Sequence, residues 1–259
     1  MKNNELKILV PKDWSIAEEK MPDGSRVLKF TPVTAESSTR QLQEGIFKRV
    51  PASELRLDDD FLNYQPKNFA ENNLKCFVQT AIKNGLKDFW RPVYDPSFDD
   101  NGCICYHPGN MPAVGKSYNW WYKHAKAFCP ERGSRLGTNS EYGVFLAVLI
   151  KELVASGKSV EWAWNAVCNN SKELGHYWES KDAKHDFETT GSRDICGWYD
   201  LANTYKILAD DEEVDVYYYL VGGKYEDYSN NYPLAIIYRC KDRDADFCFS
   251  CGWLVLETD

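Results

Sequence analysis

The 259-residue chain has no apolar run that approaches the ~18 residues needed to span a bilayer. Its first residues, MKNNELKILVPKDW, lack the apolar core of a signal peptide. Ile8 to Val10, with Leu6 nearby, is the whole apolar run there, and Lys7 interrupts it. Cytoplasmic synthesis without a signal peptide and no membrane insertion are therefore expected. There is also no excess of positive charge. Lys and Arg number 31 against 39 Asp and Glu, a net charge of −8. That balance argues against a phosphate-binding surface, and so against nucleic acid as a partner. No glycine-rich phosphate loop and no internal repeat are found.

Aromatics and cysteines are plentiful. Aromatic residues make up 14%, with 16 Tyr and 9 Trp, and there are nine Cys. An odd count leaves at least one thiol without an intrachain partner, and free, mostly buried thiols in a reducing compartment are expected. Cys103-x-Cys105-x-His107 and Cys248-x-x-Cys251 have the look of metal half-sites. Neither has the second knuckle that a structural zinc site needs. No metal and no cofactor are expected. Trp90, Trp120, Trp121, Trp162, Trp164, Trp178 and Trp253 read as scaffold.

Along the chain, Leu6 to Val10 and Arg26 to Val33 are β-prone and separated by the turn signal Asp23-Gly24. They read as an N-terminal β-hairpin. Residues 34–66 are polar, carry the acidic run Asp58 to Asp60, and read as linker or loosely packed chain. A helix is expected from Phe69 through Ile82, ending near Gly85. Residues 88–118 read as loops and short strands. A second helix starts near Asn119, buries Trp121, Ala125, Phe128 and Cys129, and ends at Pro130. Thr138-Asn139-Ser140-Glu141 fits a capping box at the start of a third helix. Val144, Phe145, Val148, Leu149 and Leu153 form its apolar face, and Gly157 closes it. Ser159 caps a fourth helix through Cys168. Strand candidates follow at Val214 to Val221, Pro233 to Cys240 and Phe247 to Leu256. Helices in the middle and strands at the end predict an α+β fold. The expected division is 1–66, hairpin and linker, and 67–259, a single domain.

Three segments, in order, resemble a known family. Trp121 to Cys129, leading to Arg135-Leu136-Gly137-Thr138-x-x-Glu141-Tyr142, resembles the helix and R-L-P-T-x-x-E-W motif of the C-type lectin fold of the formylglycine-generating-enzyme type. Gly137 stands in place of the usual Pro and Tyr142 in place of the usual Trp. Gly197 to Thr204 resembles that fold's G-L-Y-D-M-x-G-N element. Leu220 to Tyr225 resembles its R-G-G-S-W strand end, and Gly252-Trp253-Leu254 its terminal G-F-R strand. The resemblance covers about residues 119 to 256 and implies a C-type lectin-like domain carrying the N-terminal hairpin as an appendage.

The enzymes of this fold use a cysteine pair just after the glycine-glycine strand to activate copper and oxygen. The matching stretch here, Glu226 to Tyr232, has no cysteine. Hydroxyl or amide cannot replace a thiolate in that chemistry, so no catalytic residue is expected. The variable proteins of diversity-generating retroelements resemble the same fold and use it for binding alone. In them, adenines in asparagine codons of the C-terminal region are mutagenised, which cannot yield Lys, Glu, Gln, Met or Trp. In residues 224–251 only Lys224, Glu226 and Lys241 fall outside the accessible set. The resemblance therefore implies a ligand-binding surface of Tyr225, Asp227, Tyr228, Ser229, Asn230, Asn231, Tyr232, Ile236, Tyr238, Cys240, Asp242, Arg243, Asp244, Asp246, Phe247 and Phe249. Tyr supplies rigid contact area at low entropy cost, and Asn, Ser and Asp supply adaptable hydrogen bonds. On the strand, Ile236, Tyr238 and Cys240 are expected to face the ligand, with Ala235 and Ile237 inward.

Other chemistry in the chain has plainer readings. Asp242, Asp244 and Asp246 alternate as in a calcium loop but lack its glycine and glutamate, and read as a solvated hairpin. His176 and His185 read as structural rather than as general bases. Ser171 and Ser192 lack a nucleophile-elbow context. Arg135, Glu141, Arg193 and Asp200 read as buried ion pairs or loop anchors. The expected function is recognition of a protein or glycan on a cell or virion surface by a phage- or prophage-encoded, virion-associated protein. Its N-terminal hairpin is a candidate oligomerisation element. The alternatives are an oxidase of the formylglycine-generating class, which a cysteine pair near Gly223 would favour, and a structural phage protein without a diversified site.

Overall fold

A computed structural model describes residues 14–20, 26–32, 45–98, 104–170, 174, 191, 194–201, 204–210, 217–221, 237–241 and 250–258. The chain runs β1 (Trp14–Lys20), β2 (Arg26–Pro32), β3 (Gly45–Val50), α1 (Phe69–Asn84), β4 (Phe89–Pro92), β5 (Ser97–Phe98) and β6 (Ile104–Cys105). It continues through α2 (Tyr118–Phe128), β7 (Arg135–Leu136), α3 (Asn139–Ala155), α4 (Val160–Cys168), β8 (Tyr205–Ala209), β9 (Tyr218–Val221), β10 (Ile237–Cys240), β11 (Ser250–Gly252) and β12 (Leu254–Glu257). The fold mixes helix and sheet, as the α+β reading expects. One sheet has the order β1-β2-β3-β4-β12-β7 and a second β10-β9-β8-β11, while β5 and β6 form a small ribbon.

The four α-helices among the described residues all start on side-chain caps. Asn68, Ser117, Thr138 and Ser159 each accept a hydrogen bond from the backbone of the first turn, which satisfies an otherwise orphaned donor. At α3 the capping box is complete, and Glu141 also takes both arms of Arg135, at 2.8 and 2.6 Å. One carboxylate thus caps a helix and anchors β7. Gly85 ends α1 in the left-handed conformation, φ 70°, which glycine adopts without steric cost. The expected face of α3 is buried, and so are Tyr142, Leu146, Ala147 and Ile150. The helix is enclosed on nearly all sides, packed by α1 and α4.

Three expectations are corrected. The hairpin arm that pairs with β2 is Trp14–Lys20, in register from Trp14 opposite Pro32 to Lys20 opposite Arg26. Leu6 to Val10 and the Asp23-Gly24 turn lie outside the described residues. The segment read as linker holds β3, which bridges β2 to β4, and buries Phe47, Val50, Leu55, Phe61 and Leu62. Lys48 and Arg49 stand together between Phe47 and Val50, and their charged ends, which reach Glu152 and Asp88, mask the apolar character of the strand. The hairpin therefore extends the domain's own sheet rather than hanging from a tether. Third, Phe247 to Leu256 is not one strand. β11 runs parallel to β8, and β12 runs antiparallel to β4 and β7.

Trp253 is the residue at which the chain changes sheets. Its N–H donates to the Ile207 carbonyl at 3.1 Å, and its carbonyl accepts from the Gly137 N–H at 2.8 Å. A Cβ at Gly137 would stand 2.2 Å from the Trp253 ring. Two facts thus disfavour the proline of the resembling motif: it has no N–H to donate, and its ring would overlap the indole. Gly137→Pro is expected to destabilise the fold by about 3 kcal/mol or more, read by chemical denaturation. Gly137→Ala should be milder and partly rescued by Trp253→Phe, which opens space beside the new methyl.

Candidate binding surface and buried charge cluster

Of the expected site residues, Tyr238 and Cys240 fall in β10, an edge strand of the second sheet among the described residues. Tyr225, Asp227, Tyr228, Ser229, Asn230, Asn231, Tyr232, Ile236, Asp242, Arg243, Asp244, Asp246, Phe247 and Phe249 lie outside the described residues. So do Cys103, Cys248, His176, His185, Ser171, Ser192, Arg193 and Trp178.

At the end of β10 the expected facing is reversed. Cys240 is half-buried against the core around Tyr218, and its thiol is pushed up by burial while a hydrogen bond with Tyr218 pulls the other way. Arg239, one residue earlier and so on the opposite face, is exposed. Its guanidinium lies 3.6 Å from the centroid of the Tyr217 ring, and the Lys241 ammonium lies 5.1 Å from the same ring. The physical reason is desolvation: a small thiol tolerates the apolar side, and a guanidinium without a buried partner does not. The outward groups here are thus Arg239 and Lys241 beside Tyr217.

The same sheet carries a cluster of buried charge. Lys206, on β8, is 2% exposed, and Asp95 is 3% exposed. The Lys206 ammonium donates to both Asp95 oxygens at 2.5 Å, to the Thr204 hydroxyl at 2.8 Å and to the Asp200 carbonyl at 3.1 Å. Thr204 donates its one proton to Asp95 at 2.8 Å. Its 3.0 Å contact with Cys251 therefore has the thiol as donor. Burial pushes the Cys251 thiol up to about 12, in keeping with that role.

Asp200 adopts a left-handed backbone, φ 55°, and its carboxylate accepts from the Asp95 N–H at 3.0 Å and the Gly191 N–H at 2.9 Å. Burial, and then the charge of Asp95, push its carboxyl up to about 7. Arg91 is buried over the rings of Phe145, Trp198 and Trp253, at 4.1, 4.9 and 5.7 Å. Burial lowers it to about 10, so it stays charged at neutral pH.

This arrangement ties together the segment after β4, the turn before β8 and β8 itself. All three ammonium protons of Lys206 have acceptors, so it offers no free base, and a protonated, buried Cys251 is no nucleophile. Among the described residues no group of three or more His, Cys, Asp and Glu is placed to hold a metal ion. Among them, too, no helix is long and apolar enough to cross a membrane. Arg91, Asp95, Thr204 and Lys206 escaped the reading of the sequence. The available signal was a charge inside an apolar run, in Phe89-Trp-Arg-Pro-Val93 and Tyr205-Lys-Ile-Leu-Ala209, since such a charge is either exposed or paired.

Against known proteins, no family model matches the chain and no curated protein matches it.

Lys206→Met, which strands Asp95 without its cation, is expected to cost about 3–5 kcal/mol in denaturant unfolding. Asp200 sets a pH dependence. Its folded carboxyl lies near 7 against an ordinary 3.8, so the folded chain holds that proton more tightly. The stabilisation is complete below the ordinary value and is lost as pH rises through about 7. Asp200→Asn should therefore flatten the fall in melting temperature between pH 5 and pH 8; a slope equal to that of the parent would contradict this assignment.

Proposed function

We propose that the chain is a ligand-recognition protein with a C-type lectin-like fold of the formylglycine-generating-enzyme type. Its diversified C-terminal block, residues 225–249, forms the binding surface. The observation that carries this reading is where the block begins and ends. It follows β9 and precedes β11, and these two strands flank β8 on either side. The variable segment is thus strung between two strands fixed to one central strand, and that strand is held by the Lys206–Asp95 ion pair. Binding loops supported by a rigid frame can change sequence without disturbing the frame.

The lectin-like reading draws support from β4 pairing with β12, so that the start and end of the domain meet in one sheet. It is supported also by α2 and α3 lying between them in sequence and by the second, smaller sheet. The oxidase alternative fares worse. Cys240 is on β10 and Cys251 on β11, at opposite edges of the sheet, with β9 and β8 between them. Three strand spacings separate them by about 14 Å, too far for these two thiols to share a copper ion; Cys248, the third candidate, lies outside the described residues. The ligand in this reading is a protein or glycan on a cell or virion surface. The β1–β2 hairpin, at the far edge of the other sheet, is the candidate for assembly onto a virion.

Sequencing the genomic neighbourhood tests the proposal. A reverse transcriptase gene beside a near-repeat of the codons for 224–251, differing at adenines, is the expected result. Absence of both, with residues 227–232 invariant among sibling isolates, would overturn it.

A further inference from the structure

The surface between α1 and α3 is hollowed into a groove of about 710 Å3. Phe69, Leu74 and Phe77 line it along α1, and Tyr142, Gly143 and Leu146 close it from α3. Gly143 lets the two helices approach, since a Cβ there would stand 2.5 Å from the Phe77 ring. Phe69, on the first turn of α1, is 79% exposed at the rim, the most exposed of the large apolar side chains described. None of the 14 lining residues carries a formal charge, in a chain that is 27% charged. None belongs to the block 224–251, so the lining shares no residue with the recognition surface proposed above.

We propose that the groove binds a neutral, largely apolar small molecule. Its volume falls in the range of about 300–1,000 Å3 typical of small-molecule sites. Its lining argues for neutrality: a charged ligand would give up hydration and meet no counter-charge. The concave, uncharged lining matches the mostly apolar clefts that take small molecules, and occupation by a second copy is an outcome of the test below. The side-chain amides in the lining are Asn73, Asn84 and Asn139, while the Thr80 hydroxyl is already donated to the Cys76 carbonyl at 2.9 Å. The amides suit a single carbonyl or hydroxyl on an otherwise apolar body.

The full-length chain is titrated with Nile red, a neutral apolar dye, with 1-dodecanol and dodecanoate as competitors. Saturable one-to-one binding is expected, displaced by 1-dodecanol at least about tenfold more effectively than by dodecanoate, the difference a desolvated charge makes. Thr80→Arg and Asn73→Glu, both at exposed positions of α1 that line the groove, should each weaken dye binding by about tenfold or more, with unchanged far-ultraviolet circular dichroism and melting temperature. Alkylation of the exposed Cys76 thiol, also in the lining, by N-ethylmaleimide should slow at saturating 1-dodecanol. The absence of saturable binding, binding that both variants leave intact, or equal competition by dodecanoate would overturn the proposal. So would dye uptake that tracks self-association, which would put a second copy in the groove.

Discussion

Lys206 carries a positive charge into the middle of the C-terminal sheet, and Asp95 is the group that makes this tolerable. Both are nearly inaccessible, and with Arg91 and Asp200 they form a set of four buried ionisable groups whose formal charges sum to zero. Each member reaches a different part of the chain. Asp95 follows β4, Arg91 lies within it, Asp200 closes the turn before β8, and Lys206 sits on β8. A buried ion pair contributes little net stability compared with apolar packing, but breaking one leaves an uncompensated charge. Its use here is registry. β8 has one position at which Lys206 meets Asp95, Thr204 and the Asp200 carbonyl together, and β9 and β11 take their places from β8.

A second constraint is one of volume. Trp253 stands between the two sheets, bonded by its backbone to both, and its indole packs edge-on to Tyr142 at 5.3 Å. In the motifs this chain resembles, the corresponding positions hold Pro, Trp and Phe; here they are Gly137, Tyr142 and Trp253. Relative to those motifs, the side chains here are smaller at the first two positions and larger at the third. Cores accept exchanges of this kind when total volume is kept, and the 2.2 Å separation that a Cβ at Gly137 would have from the indole shows how closely it is kept.

The helices were legible because each carries its own punctuation. Thr138 and Ser159 announce the starts of α3 and α4, and Gly85 and Gly157 the ends of α1 and α3, in local chemistry that needs no tertiary context; the caps Asn68 and Ser117 emerge only from the structure. The strands were less so. β3 was hidden by Lys48 and Arg49, whose apolar stems and paired ends pass for loop polarity until Glu152 and Asp88 are known to be beside them. The break at Trp253 was invisible because changing sheets takes a single residue, between β11 ending at Gly252 and β12 starting at Leu254, and only pairing divides them. The facing of Cys240 could not be read from alternation when both faces were partly apolar; burial against Tyr218 decides it. The charge cluster is assembled from residues more than a hundred positions apart, so no local pattern could have brought Asp95 to Lys206.

In the proposed reading a rigid frame carries a surface that changes in sequence, and that reading requires the frame to be indifferent to those changes. The direct measurement is the melting temperature of a set of variants in which Asp227 to Tyr232 and Asp242 to Phe249 are replaced at random by residues that adenine mutagenesis of asparagine codons can produce. The account predicts that most members melt within a few degrees of the parent, as surface substitutions away from packed features do, while ligand preference differs among them. Broad loss of cooperative melting across the set would contradict it, since the block would then belong to the frame and not to a surface displayed on it.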